Sequence, residues 1–452
     1  MDAQEKKFLE MTGRPVERLV CSFAVPSIVC MLITGIYNLA DTFFVGQIDT
    51  QSVAALGVVF PYMMLIQATA FFFGHGSGNY ISRALGARNT EGATSMATTG
   101  LVSAMAVSAC IAALSFAFRR GIMTFLGSTP TILPYALDYF DYILLGTPFI
   151  TGCFVLNNQM RLQGNATMSM IGILSGAVLN IILDPVFIFG FGLGVGGAGM
   201  ATAVSQFIGF CILLRLSFAK GGVGIRLRTF RLNRAVIEEI GAGGLPSLFR
   251  QGFMAIATIC LNQCAARYGD ACLAAFSVVG RVMGFVSAAL IGFGQGFQPV
   301  CGFNYGAGLY DRVRKALVFS INVATVYCTV FALAGLFFAP SIIRLFRATD
   351  PEVIAIGARA LRWQCLSYPL VGFTVHTNMY LQNTRQTWPA VLVALARQGI
   401  FLIPAVYIMS AVAGIGGLVA AQSLSDLLAF LLCIPLCKSA ITRMNAKKIS
   451  EN

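Results

Sequence analysis

The chain has 452 residues, of which 57% are hydrophobic and 11% are charged. Soluble domains carry about 25% charged residues, so the composition excludes a soluble fold and predicts a membrane protein. The net charge of +13 does not indicate nucleic-acid binding, because no basic stretch is interleaved with aromatic residues that stack on bases. Thirteen Cys but only two His, far apart in the chain, indicate no metal-ligand cluster.

Apolar runs long enough to cross a bilayer recur along the whole chain. A span needs about 20 apolar residues. The mixed charges of residues 1–19 predict a cytosolic amphipathic lead-in rather than a signal peptide. The apolar runs predict twelve transmembrane helices, near 20–46, 54–80, 93–117, 133–160, 167–190, 197–218, 236–264, 273–300, 314–338, 353–382, 388–411 and 414–437.

Positive charge is distributed unevenly between the predicted loops. If the N-terminus is inside, most of the 31 Lys and Arg residues fall in inner loops and tails. The predicted outer loops hold only Arg119, Arg120, Arg267, Arg344 and Arg347. This asymmetry predicts that both termini lie in the cytosol.

The chain repeats itself at an offset of 220 residues. Pro26-Ser27 falls on Pro246-Ser247, and residues 54–87 share 11 identities in 34 positions with residues 274–307. An even number of spans in each half makes the repeats parallel, related by an axis along the membrane normal, with substrate sites at the repeat interface. The expected fold is an all-α polytopic membrane protein with 12 transmembrane helices in two pseudo-twofold-related six-helix lobes.

The repeat and the charge pattern divide the chain into four segments. Residues 1–218 form the predicted N-terminal lobe with spans 1–6. Residues 219–235 are a basic cytosolic linker that contains glycines. Residues 236–440 form the C-terminal lobe with spans 7–12, and residues 441–452 are a cytosolic tail.

Three acidic residues lie deep within predicted spans: Asp41, Asp184 and Asp426. A carboxylate in hydrocarbon costs several kcal/mol, so it normally faces a cavity or a partner. Asn180 lies one helical turn before Asp184, on the same face. The pair Asp41 and Asp184 can hold protons or coordinate Na⁺ through its oxygens. The alternative is a structural hydrogen bond, which we favour for Asp426 because it stands alone in the sequence.

The two halves differ at these acids. Under the repeat, Asp41 falls on Leu261, and Asp184 falls on Ile403 or Pro404. The first half therefore keeps carboxylates that the second half lacks at the same positions.

Several further span residues are candidates for lining a substrate cavity. Methionine adapts to ligands of varied shape, and aromatic faces attract cations. Ordinary packing against lipid or other helices is the alternative for each of them. The candidates are Met31, Tyr37, Asn38, Asn157, Met254 and Met283.

Three motifs together resemble the multidrug and toxic compound extrusion (MATE) transporters. YNLADTFFVGQ at 37–47 is similar to the signature of their first helix. GHGSGNYISRALGARN at 74–89 resembles the end of their second helix and the following inner loop. RLQGNATMSM at 161–170 and LNIILDPVFIFGFGLGVGGAGMATAVSQ at 179–206 resemble their fourth-to-sixth helix region.

The resemblance implies a secondary antiporter, and no enzyme, in a bacterial-type inner (plasma) membrane. Such a protein exports small-molecule drugs and toxic organic compounds, often cationic and amphipathic, and exchanges them for H⁺ or Na⁺ without a further cofactor. A monomer is expected. In the branch related to DNA-damage-inducible F proteins, the resemblance implies a cation site in the N-terminal lobe. That site would comprise Asp41, Tyr139, Asn180, Asp184 and Thr202.

Other functions compete with this interpretation. A lipid-linked oligosaccharide or lipid flippase of the same superfamily is the main alternative, although such proteins often have two extra helices and a strongly cationic cavity. A channel is less favoured, because it seldom needs a pseudo-twofold repeat with acidic residues in one half. A membrane-embedded enzyme is also less favoured, because the sequence contains no nucleophile–base pair or metal set.

Overall fold

The computed structural model describes residues 3–219, 222–345 and 350–451, without the side chains of Ala3, Ser450 and Glu451. Residues 220–221 of the predicted linker, Arg347 of a predicted outer loop, and the terminal residues 1–2 and 452 lie outside the described residues. Within the described ranges, all regular secondary structure is helical. This confirms the all-α prediction.

Fourteen α-helices follow one another along the described chain. A π-helical turn, Val186–Gly190, follows α7, and a second one, Ala396–Ile400, follows α13. The helices are α1 Ala3–Gly13, α2 Val16–Val45, α3 Thr50–Gly86, α4 Thr90–Ala117, α5 Arg119–Phe125, α6 Leu133–Leu162, α7 Ala166–Pro185, α8 Gly194–Ser217, α9 Arg234–Ala266, α10 Asp270–Gly306, α11 Tyr310–Arg344, α12 Pro351–Asn383, α13 Thr387–Leu395 and α14 Leu402–Glu451.

Every predicted span is helical, and ten helical stretches of the described chain are long and apolar enough to cross a membrane. The predicted span at 353–382 forms α12, which is not among those ten. The last two predicted spans fall in one stretch, Thr387–Ile449. Non-helical backbone at Ala413 and Gly414 breaks this stretch between them, where Gly414 has a φ of 58° that favours glycine.

The helix boundaries follow the 220-residue repeat. Helices α3 and α10 each have 37 residues and begin 220 positions apart, at Thr50 and Asp270. The turn after α3 places Arg88 in the left-handed region, and the turn after α10 places Gly308 there, again 220 positions later. The two halves therefore repeat local backbone conformation as well as sequence.

The described chain forms two compact units that are not contiguous in sequence. The first contains Val29–Leu248 and the N-terminal residues through Arg14, and the second contains Pro15–Ile28 and the residues from Phe249 onward. Helices α2 and α9 are thus each divided between the units, in both cases two residues after a proline, Pro26 or Pro246. The predicted lobe boundaries, at residues 218 and 235, were placed at the ends of a loop. The two units are instead defined by which residues pack together, so their boundaries fall inside helices.

Small residues allow close helix packing within each unit. In the first unit, a Cβ atom added to Gly244 of α9 would lie 2.2 Å from the carbonyl oxygen of Phe72 in α3. In the second, a Cβ added to Gly296 of α10 would lie 2.4 Å from Cα of Ala24 in α2. Such contacts are typical of membrane helices, where small side chains let backbones approach.

Candidate functional site

A cavity of about 320 Å³ lies within the first unit, between α2, α3, α6 and α8. Five residues predicted from the sequence line it together: Tyr37, Asn38, Asp41, Tyr139 and Thr202. Tyr37 and Asn38, which are two of the predicted cavity-lining residues, therefore lie beside three residues of the predicted cation site.

The α2 side of the cavity is formed by one helical face. Tyr37 and Asp41 are four residues apart, so their side chains lie on the same face. The Asn38 amide donates to the Thr34 carbonyl oxygen at 2.9 Å, and the Thr42 hydroxyl donates to the Asn38 carbonyl oxygen at 2.9 Å. These bonds hold the polar side chains beside Asp41 along the helix.

Asn180 connects the cavity wall to the second carboxylate. Its amide nitrogen lies 3.3 Å from the Thr202 hydroxyl and 3.4 Å from Asp184 Oδ1. Asn180 and Asp184 are both buried, and neither lines the cavity directly. Thr202 does line it, so these weak hydrogen bonds link the cavity surface to the carboxylate behind it.

Three buried oxygen atoms of this cluster have no hydrogen-bond partner among the described residues: Asp41 Oδ1, Asn180 Oδ1 and Asp184 Oδ2. Asp41 and Tyr139 line the same cavity as Thr202, and Asp184 is connected to Thr202 through Asn180. Buried acceptors left unpaired are unfavourable, and a proton or a hard cation coordinated by oxygen would relieve this. The donor set fits H⁺ or Na⁺.

Local backbone structure places Asp184 at an irregular point of its span. Pro185 follows it directly and has no N–H to donate to the helix. The π-helical turn Val186–Gly190 begins at the next residue. Turns of this kind within membrane helices are frequent at functional sites.

The cavity also contains residues that the sequence interpretation missed. Gln206, Gln67, Met63 and Met64 line it with the predicted residues. Gln206 lies four residues after Thr202 on α8, so the same-face rule would have identified it once Thr202 was a candidate. The methionines supply an adaptable apolar surface beside the polar wall.

Other predicted cavity residues lie elsewhere. The Asn157 amide donates to the Ser169 hydroxyl at 2.6 Å, which connects α6 to α7. Met31 lies on α2 in the first unit and does not line this cavity. Met254 and Met283 belong to the second unit, where Met283 packs against a core that contains Tyr368.

Asp426 does not stand alone, which corrects the sequence interpretation. Arg397 Nε donates to Asp426 Oδ1 at 2.7 Å. The Gln422 amide also donates to Oδ1, and the Ser367 hydroxyl donates to Oδ2. Arg397 is 29 positions before Asp426 in the sequence. A comparison of residues one or two helical turns apart therefore does not detect this pair.

The family model MatE matches the chain twice, at residues 26–186 and 246–408. The two matches begin 220 residues apart, which is the offset of the internal repeat. Together they cover well over half of the chain.

Curated relatives include multidrug export proteins MepA from two staphylococci. The protein of Staphylococcus haemolyticus (strain JCSC1435) is 28% identical over 95% of this chain and 94% of its own length. That of Staphylococcus aureus (strain MSSA476) is 29% identical over 92% of this chain and 93% of its own.

Solved structures show the same fold. A MATE protein in complex with MaL6 has a TM-score of 0.91 and 25% identity, over 98% of this chain and 99% of that chain. A MOP superfamily transporter from Pyrococcus furiosus has a TM-score of 0.91 and 26% identity, over 97% of this chain and 99% of that chain.

Proposed function

Because the chain belongs to the MatE family of transporters, we propose that it is a multidrug efflux antiporter that exports small organic compounds in exchange for H⁺ or Na⁺. The observation that carries this proposal is the pair of carboxylates, Asp41 and Asp184, beside one cavity of the first unit, with oxygen atoms left without donors. The relatives named as multidrug export proteins support the substrate class.

The cavity chemistry favours organic cations over anions. Its described lining residues include the Asp41 carboxylate, the aromatic ring of Tyr37 and Met63, but no Lys, Arg or His. A negative charge and an aromatic face attract amphipathic cations. This lining argues against the alternative of a lipid-linked oligosaccharide flippase, because the phosphate groups of its substrate would need cationic side chains.

In the proposed mechanism, the coupling cation and the substrate depend on the same carboxylates. When Asp41 and Asp184 are ionised, the site attracts an organic cation. A proton or Na⁺ that binds among Asp41, Asn180, Asp184 and Thr202 neutralises this charge, so the substrate is released. Linked sites of this kind lower each other's affinity by the same factor. The cation-loaded protein then changes conformation, so that its cavity opens to the other side of the membrane.

Proteoliposomes with a fluorescent organic cation such as ethidium test the proposal. Efflux is measured under an imposed pH gradient and, separately, an imposed Na⁺ gradient, which identifies the coupling ion. Asp41→Asn and Asp184→Asn keep side-chain shape and remove the charge. We expect each to reduce gradient-driven efflux by about tenfold or more, within the usual size of a coupling free energy.

A matched control removes a carboxylate elsewhere in the same unit. Asp49 caps α3 by accepting from the Ser52 N–H, and an Asn side chain can cap equally well. Asp49→Asn should therefore transport normally. If Asp41→Asn and Asp184→Asn export at near-normal rates under both gradients, these carboxylates do not couple transport and the proposal is wrong.

A further inference from the structure

The segment that joins α8 to α9 is held against α4 by its backbone. We call residues 222–233 the basic strap. The Arg226 N–H donates to the Thr98 hydroxyl at 3.0 Å, and the Arg231 N–H donates to the Thr99 hydroxyl at 3.1 Å. The Ser95 hydroxyl donates to the Thr229 carbonyl oxygen at 2.9 Å. The strap is thus a docked element of the first unit and not a free tether.

A further anchor holds the beginning of the strap. Val223 is buried, and its N–H donates to Gln163 Oε1 at 2.9 Å. Since these backbone hydrogen bonds anchor the strap to α4 and Gln163, its exposed side chains are displayed from a fixed backbone. Such an arrangement is preorganised, which lowers the entropy lost when a ligand binds.

The displayed side chains combine positive charge with apolar surface. Arg226 and Arg228 are exposed and have no acidic partner among the described residues. Arg231 lies 3.7 Å from Glu91, but both side chains are largely exposed, and such pairs contribute little. Exposed apolar side chains alternate with these arginines: Leu227 is 74% exposed and Leu232 is 56% exposed.

The depth of the strap is set by its partner helix. Helix α4 has 28 residues, so it is about 42 Å long, whereas the hydrocarbon core of a bilayer is about 30 Å thick. If the excess is shared between its ends, the contacts at residues 95–99 lie near the boundary between hydrocarbon and headgroups. Arginines at that depth meet lipid phosphates.

We propose that the basic strap is a binding surface for anionic phospholipids of the adjacent leaflet, which the charge distribution predicts to be cytosolic. The guanidinium groups of Arg226 and Arg228 bind headgroup phosphates, for which their planar donor arrays are suited. Leu227, Phe230 and Leu232 contact the acyl chains at the boundary, as in interfacial amphipathic segments. Basic segments beside membrane spans attract anionic lipid in this way.

The test titrates phosphatidylglycerol into the detergent-purified full chain and counts bound lipid by native mass spectrometry, with phosphatidylcholine in parallel. We expect the wild type to prefer phosphatidylglycerol. Arg226→Gln/Arg228→Gln should weaken its binding by about fivefold for each arginine removed. Leu227→Ser/Leu232→Ser should also weaken binding, without a change in charge.

A charge-matched control removes two exposed cations of α14, Lys438→Gln/Arg443→Gln. This variant should retain the wild-type preference. Equal losses in both charge variants would show attraction by net charge alone, and no loss in the strap variant would show that lipid binds elsewhere. Either result overturns the proposal. So does complete displacement of the lipid by inorganic phosphate at equal charge concentration, because the surface would then be a simple anion site.

Discussion

Arg397 and Asp426 form an ion pair in the second unit, with 2.7 Å between Nε and Oδ1; Asp426 is buried and Arg397 is partly buried. Under the 220-residue repeat, Asp426 and Gln422 fall on Gln206 and Thr202, which line the cavity of the first unit. The second unit therefore has a carboxylate, Asp426, at the position equivalent to Gln206, but the guanidinium group of Arg397 already neutralises it. This difference is consistent with a coupling site confined to the first unit.

Breaking this pair on one side should destabilise the protein more than replacing both members. Arg397→Gln leaves a buried carboxylate without its cation, and removing one partner of a buried pair costs about 3–5 kcal/mol. In Arg397→Gln/Asp426→Asn no net charge is left behind, so part of the loss should be recovered. Thermal unfolding of the two single variants and the double variant in detergent measures the interaction free energy between residues 397 and 426. Losses that simply add would mean that the pair contributes nothing as a pair.

The sequence predicted the parts of the site that depend on local spacing. Asp41 with Tyr37, and Asp184 with Asn180, are one helical turn apart, and deep carboxylates in apolar spans are rare enough to stand out. The match of the family model confirms the resemblance to MATE transporters, whereas the branch related to DNA-damage-inducible F proteins stays a prediction.

Contacts between distant helices were not predictable in the same way. Arg397 reaches Asp426, and Asn157 reaches Ser169, through the tertiary fold. The repeat predicted two related six-helix lobes, but it contains no information on which polar side chains meet. The division of α2 and α9 between the units also depends on packing, although Pro26 and Pro246 mark where it occurs.

Thr202 should act as a link between the cavity and Asp184. Thr202→Val keeps the volume and removes the hydroxyl that bonds Asn180, so the amide of Asn180 loses one of its two contacts. We expect several-fold more coupling cation to be required for half-maximal efflux, with little change in protein stability. Thr202→Ser retains the hydroxyl and should behave as the wild type. Equal behaviour of the Val and Ser variants would contradict this role.

Glycine packing between α3 and α9 gives two substitutions with opposite expected signs. In Gly244→Ala, the new methyl group would lie 2.2 Å from the Phe72 carbonyl oxygen, and overpacking of this kind costs about 1–3 kcal/mol. In Gly241→Ala, on the same helix, nothing lies within 4 Å, so Ala should stabilise the helix by about 0.5–1 kcal/mol. Thermal unfolding of the two variants in one detergent distinguishes them, and a similar effect of both would contradict the packing described.

The docking of the N-terminal helix α1 should depend on pH through Lys7. Its ammonium group donates to Asn165 Oδ1 at 2.6 Å, and Met11 of the same helix is buried. Burial lowers the pKa of Lys7 from 10.5 to about 8, and the nearby Glu10 opposes this shift. Undocked α1 therefore binds more protons than docked α1 between about pH 8 and 10.5, so docking strengthens as the pH rises through that window.

Hydrogen exchange of peptides from α1, corrected for the intrinsic rate at each pH, measures this docking. Between pH 7 and 9.5, the opening equilibrium should fall by about 27-fold in the wild type, as the two pKa values require. Lys7→Met cannot titrate and should show no such change, whereas Lys6→Met, at an exposed neighbouring position, should follow the wild type. If Lys7→Met keeps the full pH dependence, another group controls the docking of α1.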